Sequence, residues 1–305
     1  TGGAGFIGSA FLRLANEIEP TWNLRCVDAE TYAADKSRLR GLEDKLEYTK
    51  GDIRDNDLMR SLIRESDLVV NFAAETHNDN SLKTPDEFIS SNVVGTSVLL
   101  AACAEFGVSF HQISTDEVYG DLPLNGKKRF QTSSQLKPSS PYSASKASAD
   151  LLVGAWARSF NLNATISICC NNFGPGQHRE KLVPNSIYLA KMGKKPKLYG
   201  NGKNVREWIH VEDHAMALIK LFNLQNRPRK VHIGSGVTLT NQQVVQSVLR
   251  ANNLPEDFYE LVEDRPGHDL RYELDSTESK EILQWRAQRI DFDKEIQILS
   301  DAQGL

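Results

Sequence analysis

The chain has 305 residues, 40% of them hydrophobic and 25% charged, with a formal net charge of -4. That is the composition of a water-soluble globular protein, long enough for two joined domains of ~150 residues each. The mild negative charge excludes general affinity for nucleic acid or an anionic membrane surface, and Lys127-Lys128-Arg129 and Lys194-Lys195 read as solvated loops. No apolar run approaches the ~18 residues of a membrane span. Four cysteines show neither metal-ligand nor disulfide spacing: Cys169 and Cys170 are adjacent, and Cys26 and Cys103 read as small core residues. No metal site and a reducing, cytoplasmic setting are the expectations.

The chain opens on Thr1-Gly2-Gly3, where a βαβ unit should already have completed its first strand. The expectation is that a few residues precede it in the natural protein; the C-terminus is open to the same reading. Apolar runs at 24–27, 46–49, 68–73, 110–114 and 164–170 read as strands, with helical patterns at 7–17, 58–63, 87–105 and 142–160 between them. This alternation predicts an α/β fold: a Rossmann-type doubly wound parallel sheet with ligands at the carboxyl ends of its strands. After Cys170 the turn-rich run Asn171-Asn172-Phe173-Gly174-Pro175-Gly176 breaks the pattern. Shorter elements follow, a strand at 231–233 and helices at 241–249 and 277–283. The expected division is a dinucleotide-binding domain over 1–172, rejoined by about 203–230, and a smaller α/β substrate-binding lobe over 173–305.

Gly2, Gly5 and Gly8 form G-x-x-G-x-x-G, and Gly3, Gly5 and Gly8 also satisfy G-x-G-x-x-G. Glycine is required where backbone turns tightly and approaches a pyrophosphate resting on a helix N-terminus. A loop alone is weak support, because turns use glycine for conformational reasons. Asp28 adds to it, ending the next strand about 20 residues beyond, where a ribose-binding acid belongs. A carboxylate there accepts from both ribose hydroxyls and repels a 2′-phosphate, which favours NAD over NADP. Asp52 follows the next strand and reads equally as a border of the adenine or as a helix N-cap.

Tyr142 and Lys146 are four apart on a helical pattern and share a face. A nearby ammonium favours phenolate, and phenolate accepts a proton from a substrate hydroxyl while hydride leaves. Upstream, Thr115-Asp116-Glu117 places two carboxyl groups at the exit of a strand. Taken alone they read as a solvated acidic turn; if buried, mutual repulsion and desolvation raise one pKa and keep Asp116 protonated.

With TGGAGFIGSA, FAAETHNDNS, STDEVYGDL, PSSPYSASKAS, CNNFGPGQHREKLVP, LYGNGKNVREWIHVEDHA and DRPGHDLRYELD, these residues span almost the whole chain. They resemble the extended short-chain dehydrogenase/reductases and, within them, the dTDP-glucose 4,6-dehydratases. The resemblance implies a lyase that uses NAD catalytically to make a 4-keto-6-deoxy sugar in deoxysugar biosynthesis, of which rhamnose assembly is one route. It implies that Thr115, Tyr142 and Lys146 act at the carbon-4 hydroxyl. Glu117 is then the base at carbon 5, and Asp116 the acid for the carbon-6 hydroxyl. Implied cofactor contacts are Gly2, Gly5, Phe6, Ile7, Gly8, Asp28, Thr31, Asp52, Ile53, Ala73, Ala74, Ser91, Tyr142, Lys146 and Asn172. For a nucleotide-diphospho-hexose they are Thr76, His77, Thr115, Asn171, Lys181, Leu182, Tyr199, Arg206, Asn241, Arg265 and His268.

Three departures concern the nucleotide. Asn80 stands where the family commonly has arginine after HVD, a motif written His77-Asn78-Asp79 here. Lys197 replaces a proline-like position before Tyr199, and 176–179 replace a more aromatic stretch. The helices at 87–105 and 142–160 carry apolar residues beyond one sheet-facing stripe, for example Val98, Leu99, Leu152 and Trp156. A homodimer follows, through the four-helix bundle the resemblance implies, with a buried internal face as the alternative. Rival functions are a nucleotide-sugar 4-epimerase, which shares the NAD and Tyr/Lys chemistry, and a catalytically silent nucleotide-sugar-binding protein.

Overall fold

The computed structural model describes residues 1–302. Its centre is a parallel sheet in the order β3 (Leu68–Asn71), β4 (Ser109–Thr115), β5 (Ala164–Cys169) and β9 (Lys230–Ile233). Every residue of β5 is buried, the pattern of a strand covered on both faces. Polar side chains within the sheet pair with one another: the His111 ring nitrogens meet Thr165 Oγ1 at 2.7 Å and Ser167 Oγ at 2.9 Å.

A second parallel pair, β1 (Leu24–Asp28) and β2 (Leu46–Lys50), lies beyond the glycine loop. Thr1 and Gly2 run between β1 and β3. Gly2 N–H donates to the Val27 carbonyl at 2.8 Å, and the Thr1 ammonium donates to that of Val70 at 2.9 Å. Alongside them the two strand edges stand apart over a slot of about 540 Å³, lined by Leu24, Cys26, Leu68 and Val70 and floored by Phe11 and Phe222.

Helices cover the sheet. On one side α1 (Phe6–Ile18) packs against α8 (Val211–Phe222). On the other, α2 (Asn56–Ile63), α5 (Thr96–Phe106) and α6 (Pro141–Ser159) pack together. α6 starts under a capping box, in which Ser140 and Ser143 satisfy each other's backbone N–H groups and Pro141 opens the first turn. Tyr142 sits in that turn, so its position is set by the cap.

The run before α5 is continuous: the single turns α3 (Asn78–Ser81) and α4 (Pro85–Phe88) lead into a π-helical segment at Ile89–Gly95. Pro85–Phe106 thereby forms 22 helical residues, whose most apolar 18-residue stretch has a mean hydropathy of 1.4, which corrects the expectation that no apolar run reaches span length. By length and composition alone the helix could cross a membrane; 44% of that stretch is buried in this fold.

The lobe is a three-stranded sheet in which β8 (Val205–His210) runs parallel to β6 (Asn171–Phe173) and antiparallel to β10 (Val237–Thr240). A second pair joins β7 (Lys197–Tyr199) to β11 (Glu260–Val262). Phe173, Ile187, Leu198, Trp208, Val244 and Ile296 form its own core, with α7 (Leu182–Lys191), α9 (Asn241–Ala251) and α11 (Phe292–Ala302) around it. The chain leaves this lobe through α8 and β9, then packs α10 (Thr277–Ile282) against β9.

The residues named for a dimer face need correction. Leu99 is 0% exposed, and Val98, Leu152 and Trp156 pack against the same internal core. The apolar side chains that face outward on these helices are Leu151 at 65% and Phe160 at 61%, with Ile89 and Val94 on the π segment.

Candidate active site

Glycine is dictated at two points of the N-terminal loop. Gly2 has φ +67°, and a Cβ there would lie 2.6 Å from Ala73 N. A Cβ on Gly8 would lie 2.4 Å from the Gly2 carbonyl oxygen. The loop is thus folded tightly over the start of α1, whose N-cap Gly5 offers backbone with no capping side chain. The loop's Ala4 N–H donates to Asp28 Oδ2 at 2.9 Å, while Oδ1 accepts from Glu30 N–H at 2.8 Å. Asp28 is therefore fixed beside the loop at the end of β1, as a ribose-binding acid requires. Phe6 and Ile7 are half-buried in the first turn of α1, and Thr31 is exposed just beyond Asp28. This donor set and cradle fit a dinucleotide.

The two readings of Asp52 separate. The N-cap of α2 is Asp55, which accepts from Leu58 N–H at 3.0 Å. Asp52 instead grips Arg54, taking its backbone N–H at 2.8 Å and its Nε at 2.9 Å. Ile53 is buried in the main core. Ala73 and Ala74 follow β3, half-buried, and Ser91 lies on the π segment.

Thr115, Asp116 and Glu117 leave the carboxyl end of β4, with Thr115 capping the short 3-10 turn they enter. Asp116 is 0% exposed; Oδ1 accepts from Thr115 Oγ1 at 3.2 Å, and Oδ2 has no partner among the described residues. Burial raises its pKa well above the ordinary carboxyl value, and the negative charges of Glu117 and Glu207 raise it further, against Arg206. The direction favours the protonated acid, and one of its oxygens is free of partners among the described residues. Glu117 is half-buried, with Oε2 accepting from Asn78 Nδ2 at 2.8 Å.

Tyr142 is buried, and Thr115 hydrogen-bonds its phenol. The expected depression of that phenol by Lys146 is not what the protein alone produces. Burial first, then Glu117, pushes it well above the usual tyrosine value. The Lys146 ammonium donates to the Ile113 carbonyl at 2.7 Å, and burial lowers its own pKa. One turn on, Asp150 is held by Ser114 Oγ at 2.7 Å and pushed by burial to about 6.

Asp116 yields a stability test. Its folded-state pKa is raised, so its contribution is complete below the unfolded carboxyl pKa and is lost as pH rises through the folded value. Asp116→Asn removes that ionisation. The variant should melt above the parent by a margin that opens as pH rises from the unfolded carboxyl pKa toward the raised folded value and is constant beyond it. Thermal melts across the pH range check the trend.

Two groups that sequence reasoning missed tie this site together. Asn92, on the π segment, exchanges hydrogen bonds with the Glu75 backbone (2.8 and 3.0 Å) and donates to Ser145 Oγ at 2.8 Å, so it clamps the loop after β3 to α6. His214 meets Asn172 Oδ1 at 2.9 Å, while Asn172 Nδ2 donates to the Cys170 carbonyl at 3.0 Å. Both are contacts between residues remote in sequence, which leave no local pattern.

The lobe reaches across toward the sheet. Lys181 Nζ donates to the Thr76 carbonyl at 3.0 Å, with Leu182 beginning α7 beside it. Asp79 takes the Tyr199 hydroxyl at 2.8 Å and Arg265 Nη1 at 3.2 Å. His268 meets Asp264 Oδ1 at 2.6 Å and stands edge-on to Tyr199. His77 is half-buried with Nδ1 unpartnered among the described residues, and burial lowers its pKa. Asn171 opens β6, paired with Trp208, and Asn241 opens α9. Arg206 differs from a free phosphate-binding arginine. It is buried, stacks on the Tyr272 ring at 4.1 Å, and donates to the carbonyls of Val205 (2.8 Å) and Asp269 (2.8 Å).

The family model described as GDP-mannose 4,6 dehydratase matches residues 1–299. A dTDP-glucose 4,6-dehydratase of Mycolicibacterium smegmatis is 45% identical over 293 residues, covering 96% of this chain and 88% of the relative. The low-salt glycan biosynthesis protein Agl12 of Haloferax volcanii is also 45% identical, covering 92% of this chain and 90% of its own. Among solved structures, the dTDP-glucose 4,6-dehydratase DesIV of Streptomyces venezuelae, determined with NAD bound, superposes with a TM-score of 0.93 at 37% identity, over 98% of this chain and 94% of its own. The tight glycine loop, the buried acid pair and these matches agree: the chain belongs to the nucleotide-sugar 4,6-dehydratases of the extended short-chain dehydrogenase/reductases.

Proposed function

We propose that the protein converts dTDP-glucose to dTDP-4-keto-6-deoxyglucose and water, with NAD as a regenerated cofactor. The observation that carries this reading is Asp116: a fully buried carboxyl group with an unpartnered oxygen, its pKa raised by burial, adjacent in sequence to Glu117 and near Tyr142. Oxidation and return of hydride at one carbon needs only a tyrosine and a lysine. Expelling water needs a further base and a further acid.

The glycine loop and Asp28 would hold NAD, which when bound would supply a hydride acceptor for carbon 4 and, once reduced, a hydride donor for carbon 6. Tyr142 takes the proton of the carbon-4 hydroxyl, with Thr115 orienting the same oxygen and Lys146 as the nearby cation. The carbon-4 ketone so formed acidifies the carbon-5 proton, which Glu117 removes. Asp116 gives its proton to the carbon-6 hydroxyl, which leaves as water. Glu117 then returns a proton to carbon 5 as carbon 6 is reduced. Arg265, Lys181 and Asn241 are assigned to the diphosphate and nucleotide, joined by Arg206 once its guanidinium turns from the Val205 and Asp269 carbonyls, Tyr199 and His268 to the base side, and Thr76, His77 and Asn171 to the sugar. Asp79 holds Tyr199 and Arg265 in place until that anion arrives. A panel of dTDP- and UDP-glucose supplied with NAD tests the assignment; turnover of dTDP-glucose with loss of one water supports it, and no turnover of either contradicts it.

The cofactor-holding part is taken as 1–172 with α8 and β9, and the remainder as the nucleotide-sugar lobe. Four buried free cysteines suit a reducing cytoplasm. The protein is assigned as a homodimer through the outward faces of 85–106 and α6, where Leu151 and Phe160 protrude. Replacing both with Glu should halve the mass measured by light scattering; an unchanged mass would remove this face from the interface.

A further inference from the structure

The geometry points to Asn78 as a positioning residue for the base Glu117, a role that rests on the assignment of Glu117 above. Asn78 Nδ2 donates to Glu117 Oε2 at 2.8 Å, and its Oδ1 accepts from Ser140 Oγ at 2.8 Å. Ser140 Oγ in turn accepts from Ser143 N–H at 3.1 Å, as the cap of the helix that carries Tyr142. An ionised carboxylate only accepts, so the amide N–H₂ has to point at Glu117 and its Oδ1 is left to take the Ser140 proton, while Ser143 Oγ, 2.9 Å from Ser140 Oγ, then serves as a donor.

One relay thus runs from the α6 cap through Ser140 and Asn78 to the base. It ties Oε2 down and leaves Oε1 to face the substrate, at a set distance from Tyr142. A donor aimed at an ionised oxygen is among the stronger hydrogen bonds, and holding a base in register is worth a large factor in rate. A valine at this position could neither donate nor accept, so the polar link requires the amide.

Asn78→Val removes the link, and Asn78→Asp, of the same shape, turns it into a repulsion. With NAD and dTDP-glucose in rapid mixing, both variants should form reduced nicotinamide at the parent rate but consume it about tenfold more slowly with Val, and more slowly still with Asp. Deuterium uptake at carbon 5 should slow by the same factor, with KM unchanged. Parallel slowing of oxidation and elimination would mean that Asn78 only supports the α6 cap, and unchanged elimination would mean that it does nothing; either overturns the inference. Glu117→Gln in the same experiment separates the two readings. If Glu117→Gln itself eliminates water normally, the base assignment has failed. If it does not, while the Asn78 variants do, only the positioning role has failed.

Discussion

Glu117→Gln should leave a folded protein that oxidises carbon 4 and then stalls. Its amide keeps the size of the carboxylate and can still accept from Asn78, so the loop after β4 should hold its shape. What is lost is the ability to take a proton from carbon 5, a contribution of about 10²–10⁴-fold for a positioned base. Tyr142 and Lys146 keep their places on α6, and loss of the Glu117 charge eases ionisation of the phenol, so reduced nicotinamide should form at least as fast as in the parent and persist. Its near-ultraviolet absorbance, followed with product formation, reads both halves of the reaction in one trace. Normal turnover would remove Glu117 from its role.

Tyr142→Phe should fail one step earlier. The ring is buried beside Phe88, and phenylalanine fills the same space, so stability should change little. With no group to take the carbon-4 proton, no reduced nicotinamide should accumulate, and turnover should fall by about 10²–10⁴-fold. In the parent, the phenol is pushed up by burial and by Glu117, so the oxidation rate should climb from neutral to alkaline pH as the proton is lost. The two variants therefore differ in the species that accumulates, which separates loss of the first proton transfer from loss of the second.

The central sheet was legible because its strands are buried on both faces. β5 reads as an unbroken apolar run for that reason, and β4 differs from the expected 110–114 only at its ends. The glycine loop, Asp28 and the acid pair were legible because each depends on local spacing. Other features depend on partners far along the chain. The helix expected over 87–105 contains a π-helical segment at Ile89–Gly95, and Leu99 beyond it is fully buried. Asp55, not Asp52, caps α2, a choice decided by where the first helical N–H groups point. Asn78 sits 39 residues from Glu117, and Asn92 sits 53 from Ser145, so neither could be seen from spacing. The short lobe strands β6, β7 and β11, three residues each, carry too little periodicity to stand out.

The proposed dehydration depends on Asp116 as the acid and Glu117 as the base, where epimerisation would need only Tyr142 and Lys146. The decisive trial is a single incubation with NAD and dTDP-glucose in heavy water, read by mass spectrometry and NMR. A sugar lighter by one water and carrying deuterium at carbon 5 is the expected product; an unaltered mass with inverted configuration at carbon 4 would contradict the account.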